Sequence, residues 1–531
     1  AKMMKQPMQL SQPTAGANIS TLYKSKSKTR RTNIRDHACC IYFPLFYTAL
    51  CLIILAYLPD TSNDEDLLPT HEHIKKKTVA NKHNHDEINF STPFPQSIRN
   101  DNLHEEITHP GNSALKMNVP KFWTPPIELP KSGERLMTKE EALSIGSKIR
   151  ITEKNGDIVE LETIFVAIAS YRDWQCPVTL ESIFSRAKYP QRVRVAVVDQ
   201  MDTQLDTSCT VTAEECSVDG NSNILCKYRN QIDVYEMEDE LAVGPCFARH
   251  IGHRMYRGEY YAMQVDAHVT FVQDWDTDVI AQIKVTGNEM AVLTTYLSDI
   301  TGSIDPITGY SLRNTRPIMC NTDYESNQQG TFLRHKSQPE GRSSVRGSPQ
   351  MEPYWAAGFS FSRGHFVVNV PYDQYLPMIF LGEEMSIGLR GFTYGYDMYA
   401  NEKSICFHSY AIGPNMAKRN KVAHFWEHSN MYLGVGKKAM NRVLGVVHMN
   451  PEVSEESWDH VELDKYGIGA VRTPEKFFRT FGIHVREKKT EQDLCSFVQN
   501  RMHQMFSPHM RVDGMGVDYD QITFELKDHA A

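Results

Sequence analysis

Three apolar runs of strand length, each stopped by a polar cluster, constrain this chain more than anything else in it. Residues 163–169 run into Ser170, Tyr171, Arg172 and Asp173; residues 193–198 run into Asp199 and Gln200; residues 260–265 run into Asp266, Ala267 and His268. Unbroken apolar runs of this length read as strands covered on both faces, as in parallel sheets. Helical patterns lie between and after them: over 176–187 with Pro177 near its start, over 244–252, and beyond the polar-aromatic stretch 271–276. A further strand pattern covers 291–296. Strands alternating with helices predict an α/β fold whose site gathers at the C-terminal ends of the strands.

The third run carries chemistry. Residues i and i+2 of a strand point to one face, so Asp266 and His268 can reach a single cation at the strand tip. A carboxylate with an imidazole suits a divalent ion such as Mn²⁺. Such an ion can hold a diphosphate and stabilise it as a leaving group. The same triplet also occurs at plain strand ends, so its weight comes from its neighbours. His408, within the strand pattern 404–410, is a candidate third ligand, with His424 and His428 as rivals. Glu383 and Glu384 open a helical pattern over 380–390, where they complement the helix dipole or orient an acceptor hydroxyl. The stretch 355–361 sets small residues beside aromatics and reads either as a core strand or as backbone that a flat ligand approaches closely.

Charge divides the chain. Its formal net charge is −8, but residues 1–37 hold eight Lys/Arg against Asp36 alone, +7, which leaves −15 on the remainder. An acidic body of this kind argues against nucleic acid as a partner. The basic tail abuts 21 residues, 38–58, with no charge at all. As a helix they would span ~30 Å, the thickness of a hydrocarbon core. Lys/Arg before and acidic residues after predict a single-pass type II membrane protein with its long C-terminal part in the lumen of the Golgi or secretory pathway. A cleaved signal peptide is the competing reading. Asn89-Phe90-Ser91 is a glycosylation sequon on that luminal side. Eight of the eleven cysteines lie beyond the apolar segment, where some should pair; Cys209, Cys216 and Cys226 are the best placed.

Five regions follow: a cytosolic tail over 1–37, the anchor over 38–58, a polar His-rich stem over 59–148, a catalytic core over 149–430, and a mostly helical extension over 431–531. Thr138 with Glu141 forms a capping-box pattern for a short helix. The Gln/Ser/Gly/Arg-rich residues 326–350 read as a surface insertion or a lid.

Several of these blocks, in this order, resemble one family. Residues 168–173 with Cys176, Thr179 and Leu180, then 187–190 with Val193, resemble the opening of the retaining polypeptide N-acetylglucosaminyltransferases. Residues 244–250 and 264–268 through Asp276 resemble its central block, and the likeness runs over roughly 164–490. The resemblance implies a Rossmann-like α/β fold of the GT-A type, UDP-N-acetylglucosamine (UDP-GlcNAc) as donor, and Mn²⁺ bridging its diphosphate. It puts Asp266 and His268 in the metal motif, with His408 as the less distinctive third ligand. It implies that Ser170, Tyr171 and Arg172 contact the nucleotide and that Arg249 lies near the diphosphate or uracil. Glu383 or Glu384 fills the acidic position facing donor sugar and acceptor. The implied reaction is transfer, with retention, to a Thr, Ser or hydroxyproline hydroxyl of a protein or glycoprotein. The apparent anchor departs from the family's cytoplasmic members and favours a secretory-pathway acceptor. A GalNAc or galactose donor, and a catalytically silent membrane-anchored sugar binder, are the alternatives.

Overall fold

An eight-stranded mixed sheet organises the computed structural model, which describes residues 103–130, 133–212, 216, 223–340, 347–432 and 434–527. In chain order its strands are β1 (Ile164–Tyr171), β2 (Val193–Met201), β3 (Ile232–Glu238), β4 (Tyr261–Asp266), β5 (Ala291–Thr294), β6 (Gln350–Glu352), β7 (Phe359–Arg363) and β8 (Asp397–Ala400). Across the sheet the order is β6-β8-β5-β7-β4-β1-β2-β3. Strands β4, β1, β2 and β3 are mutually parallel, while β7 runs antiparallel to both β4 and β5. The expected α/β class is the one observed.

The unbroken apolar runs have a simple cause. Ile164, Val166 and Ile168 of β1 join Leu180, Ile183 and Phe184 of α1 (Cys176–Arg186) in one core. Phe165 and Ala167 turn the other way, toward Phe247, Ala248 and Ile251 of α2 (Pro245–Arg254). With helices on both faces, neither set of alternating side chains meets water. Helix α3 (Trp275–Val285) follows β4, and α4 (Glu383–Thr393) follows β7. The capping box is present: Thr138 accepts from the Glu141 N–H at 3.2 Å, and Glu141 accepts from the Thr138 N–H at 2.8 Å.

One region differs from expectation. Part of the segment read as stem is regular structure. His104–His109 and Asn112–Pro120 form an antiparallel hairpin whose Met117 and Val119 enter the core around Phe247. Within 326–350, strands Thr322–Asn327 and Gly330–His335 make a second hairpin, with Phe332 and Leu333 buried, and residues 341–346 lie outside the described set. Among the described residues, cysteines pair as Cys176–Cys209, Cys216–Cys226 and Cys320–Cys495, and Cys246 and Cys406 are free and buried. The predicted tail, anchor and sequon lie outside the described residues. Among those described, no helix is long and apolar enough to cross a membrane.

Candidate active site

The site is built where β4 ends. Asp266 stands beside Ala169 of β1, and the turn after it is pinned from α1. The Thr179 hydroxyl donates to the Ala267 carbonyl at 2.8 Å and accepts from the Val269 N–H at 3.0 Å. The chain then pairs as a short ribbon, Val269–Phe271 with Cys406–His408, which places His408 opposite Val269. The rings of His268 and His408 come edge to face with centroids 4.4 Å apart. His408 Nε2 lies 3.4 Å from Asp266 Oδ2. One donor atom from each of Asp266, His268 and His408 lies within 4.8 Å of the others.

Behind this trio stands Asp173, buried just past β1. A carboxylate only accepts, so His268 donates Nδ1–H to Asp173 Oδ2 at 2.6 Å, which leaves Nε2 bare. Arg419 Nη1 is 3.8 Å from the same Asp173 oxygen. On the opposite flank, Arg249 from α2 spans two carboxylates. It donates to Asp266 Oδ1 at 2.7 Å and to Glu383 Oε1 at the start of α4. Glu383 also accepts from Tyr372 Oη at 2.6 Å, and Tyr372 Oη accepts from Gln264 Nε2 at 3.1 Å. Glu384 points elsewhere: it accepts from Tyr296 Oη at 2.8 Å and from the Ala357 N–H at 3.0 Å. Gly358 completes the pocket, since a Cβ there would meet Asp266 Oδ2 at 3.0 Å.

These contacts set the charges. Burial raises the Asp266 pKa, but the His408 hydrogen bond and the Arg249 charge outweigh it and hold the carboxyl well below its usual range. Asp173 is likewise low, its burial overcome by His268. Burial pulls His268 down, yet Asp173 more than compensates and its pKa is raised; His408, dominated by burial, is lowered. Burial pushes Glu384 up to about 7.

The donor set fits a borderline divalent ion: one ionised carboxylate, two imidazoles, and a carboxylate orienting one of the rings from behind. His408 Nδ1 is buried without a hydrogen-bond partner, while Nε2 of the same ring faces Asp266.

The family model described as glycosyltransferase (GlcNAc) matches residues 163–227 and 203–487, more than half of the chain. The chain belongs to that family. The matched span contains every residue of the site just described. Among solved structures, GalNAc-T7 with UDP, GalNAc and Mn²⁺ is 14% identical, covering 71% of this chain and 71% of that one at a TM-score of 0.37. S. aureus TarS residues 1–349 with UDP-GlcNAc is 14% identical over 53% of this chain and 70% of that one, at a TM-score of 0.29. No curated protein matches the sequence.

Of the residues named from sequence in this glycosyltransferase, the structure brings Asp266, His268, His408, Arg249, Glu383 and Glu384 to one corner of the sheet. It separates the two glutamates in role, Glu383 being sequestered by Arg249 and Tyr372. Arg249 has both terminal nitrogens on carboxylates and acts as a tether between α2, β4 and α4. Arg172 adopts positive φ, 48°, and turns its guanidinium to Asp206 at 2.6 Å and Asp239 at 3.0 Å. Tyr171 donates to the Ala423 carbonyl at 3.1 Å, and the Ser170 carbonyl accepts from Gln200. His424 stacks on Trp426 outside the cluster, and the side chain of His428 lies outside the described residues. Sequence reasoning gave no role to Asp173, although it closes the motif that begins at Ser170. Tyr372 and Tyr296 carry no local signal and enter only through the fold.

Proposed function

We propose that this glycosyltransferase moves N-acetylglucosamine from UDP-GlcNAc to a Thr, Ser or hydroxyproline hydroxyl of a protein acceptor, with retention and with a divalent cation, Mn²⁺ or a similar ion. The GT-A assignment belongs to the same reading. One observation carries it: the Asp266–His268–His408 trio, oriented by Asp173, sits at the C-terminal ends of parallel strands in a chain of the GlcNAc glycosyltransferase family.

Asp266, His268 and His408 would hold the ion, which when bound supplies electrostatic stabilisation of the diphosphate as UDP departs. The protein's own part is positioning. Arg249 fixes Asp266 against Glu383, and Asp173 fixes the tautomer and plane of His268. Glu384, held by Tyr296 and the Ala357 amide, would be the carboxylate of the acidic position that the resemblance puts beside donor sugar and acceptor. The acceptor oxygen forms its bond to C1 as the bond from C1 to the diphosphate oxygen breaks, and the acceptor proton passes to that departing oxygen. Three disulfides, the uncharged segment 38–58 and the Asn89 sequon support a type II anchor and a secretory-pathway lumen.

A donor screen tests the reading. The protein, with added Mn²⁺, is offered UDP-GlcNAc, UDP-GalNAc and UDP-galactose with a Thr/Ser/hydroxyproline peptide library, and products are read by mass spectrometry. The expected result is a peptide mass increase with UDP-GlcNAc in excess over the other two. Preference for another donor overturns the sugar assignment; donor binding without turnover overturns the enzyme.

A further inference from the structure

Two residues hold the cation corner from behind: Asp173 through the His268 ring, and Thr179 through the turn after Asp266. Each stands three positions from Cys176, the first residue of α1. Ordinary helix chemistry does little for this turn. Gln175, the residue before α1, gives it no capping side-chain hydrogen bond, and Val178 faces solvent. Apolar contact with the sheet comes from Cys176 itself and then from Leu180, Ile183 and Phe184 further along.

Cys176 is bonded to Cys209, which lies in the loop 202–212 that follows β2. That loop has no apolar core of its own. Leu205 and Val211 are exposed, and Cys209 is the one buried residue in it. Its fixed point belongs to β2, where the Asp199 carboxylate accepts from the Cys209 N–H at 2.8 Å and from the Ser208 hydroxyl at 3.3 Å. The same loop also reaches the other side of Asp173. Arg172 has a positive φ, a conformation that a non-glycine residue keeps only where its surroundings hold it. Asp206 of the loop takes its guanidinium at 2.6 Å, together with Asp239 at 3.0 Å. Asp173 therefore sits between two attachments to one loop, an ion pair before it and a covalent bond after it.

We propose that the loop 202–212, locked by the Cys176–Cys209 disulfide, is a positioning element of the cation corner. It keeps Asp173 where it orients His268. Neither cysteine is a catalytic residue, and the disulfide acts through Asp173. The proposal rests on the reading of Asp266, His268 and His408 as the residues that seat the ion.

Mn²⁺ alone is titrated calorimetrically into the metal-free full chain, well below the unfolding midpoint of each variant. Cys176→Ala combined with Cys209→Ala is expected to lower Mn²⁺ affinity by about tenfold, the low end of the loss seen when a ring-orienting partner is removed. Cys320→Ala combined with Cys495→Ala opens a longer loop and controls for lost stability; its Mn²⁺ affinity is expected to match wild type. Hydrogen exchange of the metal-free proteins gives a readout independent of the ion. Amides of residues 170–176 should exchange faster than in wild type in the first pair and not in the second. Asp206→Ala keeps the disulfide and cuts the ion pair, so it should lower Mn²⁺ affinity in the same direction by less. It decides the matter where the first pair does not fold. Unchanged affinity in the folded Cys176/Cys209 variant or in Asp206→Ala, or an equal loss in the Cys320/Cys495 control, overturns this proposal alone. A wild type that takes up no Mn²⁺ overturns the cation site and this proposal with it.

Discussion

Asp173 is not among the three residues that could hold a cation, yet its carboxylate decides which nitrogen of His268 is free. Removing such a ring-orienting partner typically costs about 10–100-fold in metal affinity. Asp173→Asn is therefore expected to weaken Mn²⁺ binding by about that factor, measured by calorimetric titration, while the folded far-UV spectrum is retained. Glu384 supports a different prediction. Its folded pKa of about 7 lies above the ordinary 4.5, so between those values the native state keeps a proton that the unfolded chain has released. Stability from this group is fully present below 4.5 and is lost as pH rises through about 7. Glu384→Gln should flatten that decline, seen as a smaller fall in the unfolding midpoint between about pH 5 and about pH 7.5. At this scale the Asp266–His268 pair was legible because its spacing is local. His408 was one strand-end candidate beside His424 and His428 and the least distinctive residue of the resemblance, and only the ribbon pairing it with Val269 shows why it arrives there. The partners of Arg249 and Arg172 were not legible, because each guanidinium finds its carboxylates across the fold.

Among the elements, β7 approaches the tip of β4 closely. Gly358 precedes β7 with its Cα facing Asp266, where a methyl group would stand 3.0 Å from Oδ2. Gly358→Ala should leave the sheet intact, because this glycine has no positive φ to protect, but should displace the carboxylate. The expected readout is weaker Mn²⁺ binding with an unfolding midpoint close to wild type. The strands and helices of the sheet were legible because helices cover both faces and leave continuous apolar runs. The hairpin over 104–120 was not. Most of its residues stay exposed, and only Met117, Val119 and Pro120 of its second strand are buried, too few to write a period into a polar, proline-punctuated stretch. Neighbouring hairpin residues owe their order to the core they lean on, which no local pattern reveals.

Across the whole molecule, the Cys320–Cys495 disulfide joins the loop before the Thr322–Asn327 hairpin to the C-terminal helices, 175 residues apart in sequence. Closing a long loop constrains the unfolded chain, and losing a native disulfide typically costs about 2–5 kcal/mol. Cys495→Ser is expected to lower the unfolding midpoint without altering Mn²⁺ affinity, since neither cysteine touches the site. That pairing was illegible in sequence, as was Cys176–Cys209, because connectivity follows spatial proximity; only the nearby Cys216–Cys226 pair fell within a single loop. The α/β class and the location of the site, by contrast, followed from strands that end in polar clusters. The central claim is that Asp266, His268 and His408 together seat the cation that carries the donor. Mn²⁺ binding followed by loss of the free-ion paramagnetic resonance signal, with UDP present, tests it in wild type, Asp266→Asn and His268→Ala. One bound ion in the wild type and none in the folded variants is the predicted result. Equal Mn²⁺ uptake by all three proteins would contradict it.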